Sequence, residues 1–392
     1  MRFVIVGGGV AGITAALELS TRKVGKVEVY SDEEYPYYYR PQLTEFLAGG
    51  ITMERLLRRD LAWYKGRGID VYLGRSVTRV DPAAKTITLI DGTQVAYDKL
   101  LLATGSVPFV PPIPGSDKNG VFTWRTLADT LELEQRASSC GQTIVLGGGL
   151  LGLEAARGLL GFCGHVTVLE FFPRLLPRQL DVEGATLLQQ FVESLGIKVV
   201  VGAQAEAFLG DRAVTGLRLK DGREFPTGMV LVAAGVRCNA RLAQEAGLTV
   251  DRGIIVDDRM ATSAPDIYAA GDVAVYKGYS WAIATIAQAQ GRAAAVNMAG
   301  EENIYDVVVP STTLKVVGID VSSVGLVNPE TEDYTEIRSL DDVARVYKKI
   351  VLHDGRIVGS IVINNKALAK DLENRIAQRE SMTPDQAQAL LN

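Results

Sequence analysis

Two glycine runs carry the chemistry open to this chain. Gly7, Gly9 and Gly12 stand in Gly7-Gly8-Gly9-Val10-Ala11-Gly12, and Gly147, Gly149 and Gly152 stand in Gly147-Gly148-Gly149-Leu150-Leu151-Gly152. At that spacing the first glycine permits a tight turn and the second lets the backbone approach a pyrophosphate with no Cβ in the way. The third lets a helix pack close to the preceding strand. A phosphate at such a turn rests on the helix N-terminus, where free N–H groups and the helix dipole favour an anion. An acid follows each run at the distance expected for a ribose contact: Asp32 after Lys26-Val27-Glu28-Val29-Tyr30, and Glu170 after His165-Val166-Thr167-Val168-Leu169. A carboxylate at Glu170 repels a 2′-phosphate, which predicts NAD(H) over NADP(H). Arg174 and Arg178, close behind, work against that preference.

The elements that must position these residues are legible around them. Phe3 to Val6 has the length and branching of a buried parallel strand, and Ile13 to Leu19 then changes to helical spacing. Thr143 to Leu146 repeats the strand 140 residues later, and the pair Ala15-Ala16 recurs as Ala155-Ala156. Repetition of strand, glycine turn and helix within one chain marks a duplicated module. Two dinucleotide cradles imply two dinucleotides, and the usual chemistry joining them is hydride transfer between a nicotinamide and a flavin.

Composition bounds the rest. A chain of 392 residues exceeds one ordinary core, so two or three domains are expected. The net charge of −5, with no basic block, argues against nucleic acid or an anionic membrane surface as partner. The chain enters its first strand directly after Met1-Arg2, leaving no room for a signal peptide, and no apolar run approaches membrane-spanning length. Cys140, Cys163 and Cys238 form no C-x-x-C pair, which suits buried thiols in a reducing cytoplasm. Two histidines, His165 and His353, are too few for a histidine-based metal site or an obvious base, so neither metal ligands nor catalytic acid–base residues are assigned.

Between and after the runs, four tyrosines and two prolines form Tyr35-Pro36-Tyr37-Tyr38-Tyr39-Arg40-Pro41, read either as a packed loop or as a cover over a planar ligand with Arg40 as donor. Ile87 to Val95 is a hairpin turning at Asp91-Gly92, and Lys99 to Leu102 is a buried strand that ends in Ala103, Thr104 and Gly105. A proline-rich stretch from Pro108 to Gly115 marks a domain boundary. Asp272, after small residues and Gly271, is placed to accept from ribityl hydroxyls or to cap a helix. Ala282 to Gly300 reads as a small-residue helix whose first amides could face a flavin. From Tyr305 onward the glycine motifs stop. Thr312 to Val321, Ala344 to Ile350 and Arg356 to Ile363 read as antiparallel strands, and Ala367 to Asn392 as two helices, the second opening at Thr383-Pro384.

These motifs together resemble the pyridine nucleotide:FAD oxidoreductases with two dinucleotide-binding domains, and within them the chain is similar to NADH:rubredoxin reductases, the flavin portion of nitrite reductases and oxygenase-type ferredoxin reductases. The resemblance implies FAD at the first cradle and NADH at the second. It makes Ala103-Thr104-Gly105 the flavin-proximal crossover, Tyr38 to Pro41 the flavin loop, and Gly271-Asp272 the second FAD motif. Gly235 falls in the strand leading out of the NAD domain, and Glu154 on the helix position that meets the nicotinamide ribose or amide. One departure matters: relatives that work through a redox thiol carry a cysteine just after the first βαβ unit, and this chain has none before Cys140. The expected fold is α/β, an FAD domain at 1–113 and 239–304 with an NAD domain inserted at 114–238. A C-terminal α+β interface domain follows at 305–392, to dimerise or dock an electron partner. The expected function is electron transfer between NAD(H) and a one-electron iron–sulfur or rubredoxin-type protein. The competing reading is an FAD- and NAD-binding subunit of a larger redox complex, such as a metal-containing aldehyde oxidoreductase, that reduces NAD+ with electrons from iron–sulfur clusters.

Overall fold

Phe3, Val4 and Ile5 are fully buried because Arg2–Val6 lies at the centre of a parallel sheet with side chains covered on both faces. The computed structural model describes residues 1–306, 311–316 and 318–392. Its chain divides into two compact units, one comprising Met1–Pro108, Arg125–Leu127 and Val236–Val308, the other Phe109–Trp124, Ala128–Gly235 and Val309–Asn392.

In the first unit five parallel strands run in the order Ile267–Ala269, Lys99–Leu102, Arg2–Val6, Lys26–Tyr30 and Ile69–Tyr72. The helix Val10–Arg22 buries Ala11, Ile13, Ala15, Ala16 and Leu19, the stripe that a 3.6-residue period predicts. Against it lies the helix Ala284–Met298, the one expected from Ala282 to Gly300. The two cross closely: a Cβ on Gly291 would stand 2.3 Å from the Ala11 carbonyl oxygen. The hairpin expected at Asp91-Gly92 joins Thr86–Leu89 to Gln94–Ala96 within a three-stranded antiparallel sheet.

The second unit repeats this plan. Its parallel strands run Ile197–Val200, His165–Leu169, Gln142–Leu146, Met229–Val232 and Val121–Phe122, again with a three-stranded antiparallel sheet attached in sequence, over Ala205–Leu209, Gly216–Leu219 and Glu224–Pro226. The same unit includes a five-stranded antiparallel sheet in the order Ser311–Val316, Ile319–Gly325, Arg356–Ile363, Val346–His353 and Tyr334–Asp341. Helices Lys366–Ala377 and Pro384–Leu391 close over it, burying Leu372, Ala387 and Leu391 with Ile350 and Leu352. Thr383 caps the last helix in a capping box with Gln386.

Two strand readings change. The run Thr312 to Val321 is not one strand: the chain reverses after Val316, with Gly318 at φ +100°, and returns as Ile319–Gly325. Val317, inside that run, lies outside the described residues. Tyr334–Asp341 gave no strand signal because it is an outer strand of that sheet, with Ile337 its only buried residue. No helix among the described residues is long and apolar enough to cross a membrane.

Candidate functional site

Each glycine run turns the chain where a side chain is sterically forbidden. Gly7 has φ +114°, and a Cβ there would lie 2.2 Å from the Ala103 carbonyl oxygen. Gly147 has φ +127° and faces Ala233 at 2.4 Å in the same way. Gly12 and Gly152 sit so close under the turns that a Cβ would come 2.0 Å from the carbonyl oxygens of Gly7 and Gly147. The middle glycines differ. A Cβ on Gly9 or Gly149 meets nothing within 4 Å, so the space in front of each helix is open. Gly9 and Gly149 are the N-caps of Val10–Arg22 and Leu150–Leu160, neither of which has a side-chain cap or an acid in its first turn. First-turn N–H groups without an intrahelical acceptor, beside open space, are what a dinucleotide pyrophosphate fits.

The acids that follow the cradles are held differently. Glu170 is buried, and its carboxylate accepts from the Gly148 N–H at 2.5 Å and from the Phe172 N–H at 2.8 Å. It is thereby locked against the glycine turn. In the first unit the matching position is Ser31, whose Oγ lies 3.0 Å from where a Gly8 Cβ would be. Asp32 is one residue further on and exposed. Glu33, next to it, pairs with Arg40 at 2.7 Å and accepts the Tyr38 hydroxyl. Burial and the neighbouring carboxylate both push the Tyr38 phenol upward, so it stays a neutral donor, while the same oxygen accepts the Leu127 N–H at 2.9 Å. Arg40 therefore faces this cluster and opens the short turn Arg40–Gln42, in which Pro41, exposed, is the second residue. Gly8, Gly9, Ser31, Glu33, Tyr38 and Arg40 share one pocket wall.

The remaining residues singled out by sequence in the first unit converge from distant segments. Ala103 fills the space beneath Gly7, and Thr104 Oγ1 donates to the Asn239 carbonyl at 2.7 Å. Gly105, at φ +67°, accepts the Asn239 N–H at 2.9 Å. Ala11 is a packing residue: its Cβ lies 3.0 Å from where a Cβ on Gly271 would be, and the Gly271 N–H donates to buried Gln290 at 2.9 Å. Asp272 accepts from Ser106 Oγ at 2.8 Å and pairs with Arg125 at 2.7 Å. In the second unit Glu154 lies half-buried on the helix that opens at Gly149, and Gly235 is exposed at φ +105°.

Comparison with known proteins decides the family. The pyridine nucleotide-disulphide oxidoreductase family matches residues 1–293, and the rubredoxin NAD+ reductase C-terminal domain matches residues 310–380. The chain belongs to the pyridine nucleotide-disulphide oxidoreductases. It is 38% identical to a nitrite reductase (NAD(P)H) of Bacillus subtilis (strain 168), over 97% of this chain and 47% of that protein. It is 30% identical to an NADH-rubredoxin oxidoreductase of Clostridium acetobutylicum, over 97% of this chain and 95% of that one. It also superposes on a chain of the covalent putidaredoxin reductase–putidaredoxin complex with TM-score 0.88 at 26% identity, covering 100% of this chain and 95% of the other. The chain spans 38–51% of the length of its nitrite and nitrate reductase relatives.

Cys140, Cys163 and Cys238 are free; the Cys163 thiol is buried, pushed up by that burial, and donates to the Leu159 carbonyl. Ser31 and Glu33 flank Asp32 at the end of Lys26–Tyr30, and only strand register separates the three. Arg125 lies in Trp124-Arg125-Thr126, which carries no periodic or glycine signal, and its part is evident only once Asp272 is seen beside it.

Proposed function

We propose that the first unit holds FAD, the Ala128–Gly235 module holds NAD(H), and the chain passes electrons between NAD(H) and a one-electron iron–sulfur or rubredoxin-type protein. The observation that carries this is the pair of open glycine cradles, each ending at an uncapped helix N-terminus. Bound FAD would supply the exchange between the two-electron hydride of NADH and single electrons for the partner.

The chain's own residues bind and orient. Gly7, Gly9 and Gly12 would admit the FAD pyrophosphate, while Glu33, Tyr38 and Arg40 form a charged, hydrogen-bonded wall beside it. Asp32, exposed at the strand end, is proposed at the adenosine ribose. Asp272, held by Arg125 and Ser106, presents a carboxylate to ribityl hydroxyls. Glu170 would take the NAD ribose hydroxyls on the lone pairs left by its two backbone donors, and Glu154 the nicotinamide end. No side chain is needed as acid, base or nucleophile. Free, unpaired cysteines support a reducing cytoplasm as the setting. The boundaries 1–113 with 239–304, 114–238 and 305–392 are proposed for the FAD, NAD and interface domains, the last docking the partner protein or a second copy.

The test is a purified protein. It should be yellow with one FAD per chain, bleach with NADH in the absence of oxygen, and reduce a rubredoxin or a two-iron ferredoxin. Colourless protein that takes up no added FAD would end the reading.

A further inference from the structure

The segment after Glu170 presses on the second glycine turn. A Cβ on Gly148 would stand 2.5 Å from the Leu175 side chain and 3.0 Å from Glu170 Oε2, and the Leu176 N–H donates to the Gly148 carbonyl at 3.3 Å. Leu175, Leu176 and Leu180 are buried. Leu176 has φ +46°, a left-handed conformation that a leucine adopts only where its surroundings over-determine it. What holds it there comes from two places.

Arg174 closes the segment on itself, donating to the carbonyls of Leu180 at 3.2 Å and Pro177 at 3.1 Å. Asn328, from the C-terminal part of the same unit, donates its amide to the same two carbonyls, Leu180 at 3.2 Å and Pro177 at 3.5 Å. The next residue, Asp181, caps the helix Val182–Ser194 through the Gly184 N–H at 3.0 Å. Its carboxylate also accepts the Tyr347 hydroxyl at 2.5 Å and lies 3.2 Å from Lys349 Nζ. Lys349 is 1% exposed and reaches Glu336 at 3.3 Å as well. A buried ammonium between two carboxylates, and an amide spent on two loop carbonyls, fix geometry to a degree that apolar contact does not.

We propose that Asn328, Tyr347 and Lys349 are positioning residues for the dinucleotide site of the second unit. The C-terminal sheet, through Tyr347 and Lys349, and the stretch after its strand Ile319–Gly325, through Asn328, hold the end of the segment Phe171 to Asp181, that segment holds Gly148, and Gly148 with Phe172 holds the Glu170 carboxylate where it meets a ribose. The C-terminal part of the chain thus shapes NAD(H) binding in addition to any docking it performs. This rests on the reading of the second cradle as the NAD(H) site.

The experiment uses the full-length, FAD-loaded protein and titrates NADH binding for wild type, Asn328→Asp, Asn328→Ala and Tyr347→Phe. Asn328→Asp keeps the shape and loses the donor; Tyr347→Phe removes one hydroxyl and keeps the ring. The expected result is an NADH Kd raised about fivefold in each, the effect of one lost hydrogen bond passed to the site. FAD content and the rate of flavin bleaching at saturating NADH stay at wild-type values. A Kd within about twofold of wild type in all three overturns the proposal, since a lost hydrogen bond with no effect on the site positions nothing. FAD content and melting temperature falling in step with NADH affinity also overturn it, because they show a general scaffold role. Wild-type protein that binds no NADH would instead overturn the reading of the cradle, and is told apart because the variants then have no affinity to lose.

Discussion

Arg125 Nη2 lies 2.7 Å from Asp272 Oδ2, across 147 positions of sequence. The segment Arg125–Leu127 belongs to the first unit although the chain on either side of it belongs to the second. It is anchored at three points: the Arg125 side chain on Asp272, the Arg125 carbonyl on Arg40 at 3.2 Å, and the Leu127 N–H on the Tyr38 hydroxyl. The carboxylate proposed for the ribityl chain is therefore aimed by a residue remote from both FAD motifs.

Arg125→Ala should leave the Asp272 carboxylate, among the described residues, with the Ser106 hydroxyl and weaken FAD retention by roughly 1.5–3 kcal/mol, the worth of a charge-assisted hydrogen bond in a partly buried site. Asp272→Ala should lose at least as much. Flavin released on dilution, followed by fluorescence, measures both, and wild-type retention in Arg125→Ala would show the pair to be incidental.

Glu170→Ala should cost NADH binding about 1.5–3 kcal/mol and narrow the gap to NADPH, because it removes the ribose acceptor and the charge that repels a 2′-phosphate. It also leaves the Gly148 and Phe172 N–H groups without their acceptor. Kd values for the two nucleotides, measured side by side, check it; a wild type that binds NADPH as well as NADH would show that Glu170 does not select.

Replacing Cys140, Cys163 and Cys238 together by serine or alanine should leave NADH-driven reduction of a small dye intact. Turnover per bound FAD is the measurement. A folded, flavin-loaded triple variant without turnover would reveal a thiol relay.

The Asp181 carboxyl gives a pH dependence of known sign. Burial pushes it up, but Tyr347, the Gly184 N–H and Lys349 together hold it below its ordinary 3.8. A group whose pKa is lowered on folding contributes stability that is fully present above the unfolded value and lost as pH falls through the folded one. Asp181→Asn should therefore be less stable than wild type near neutrality, and the difference should shrink as the pH drops below 3.8. Melting temperatures across an acid series test this, and a difference that stays constant with pH would assign the loss to packing alone.

Sequence by itself determined what depends on neighbours along the chain. Gly7 and Gly147 announce themselves because only glycine accepts a φ above +100° against a carbonyl, and the strand before each shows as an unbroken apolar run because both its faces are covered. The duplication was legible for the same reason, as was the last helix from Thr383-Pro384, whose cap is a local hydrogen bond. Tertiary structure alone decided what depends on residues meeting across the fold. Register makes Ser31, not Asp32, the counterpart of Glu170, a difference of one residue at a strand end where propensity is silent. Arg125 reaches Asp272, and Asn328, Tyr347 and Lys349 reach the segment behind Glu170, through side chains whose types are ordinary at any surface. Their meaning comes from burial and from the partner opposite, and neither is written in a window of adjacent residues.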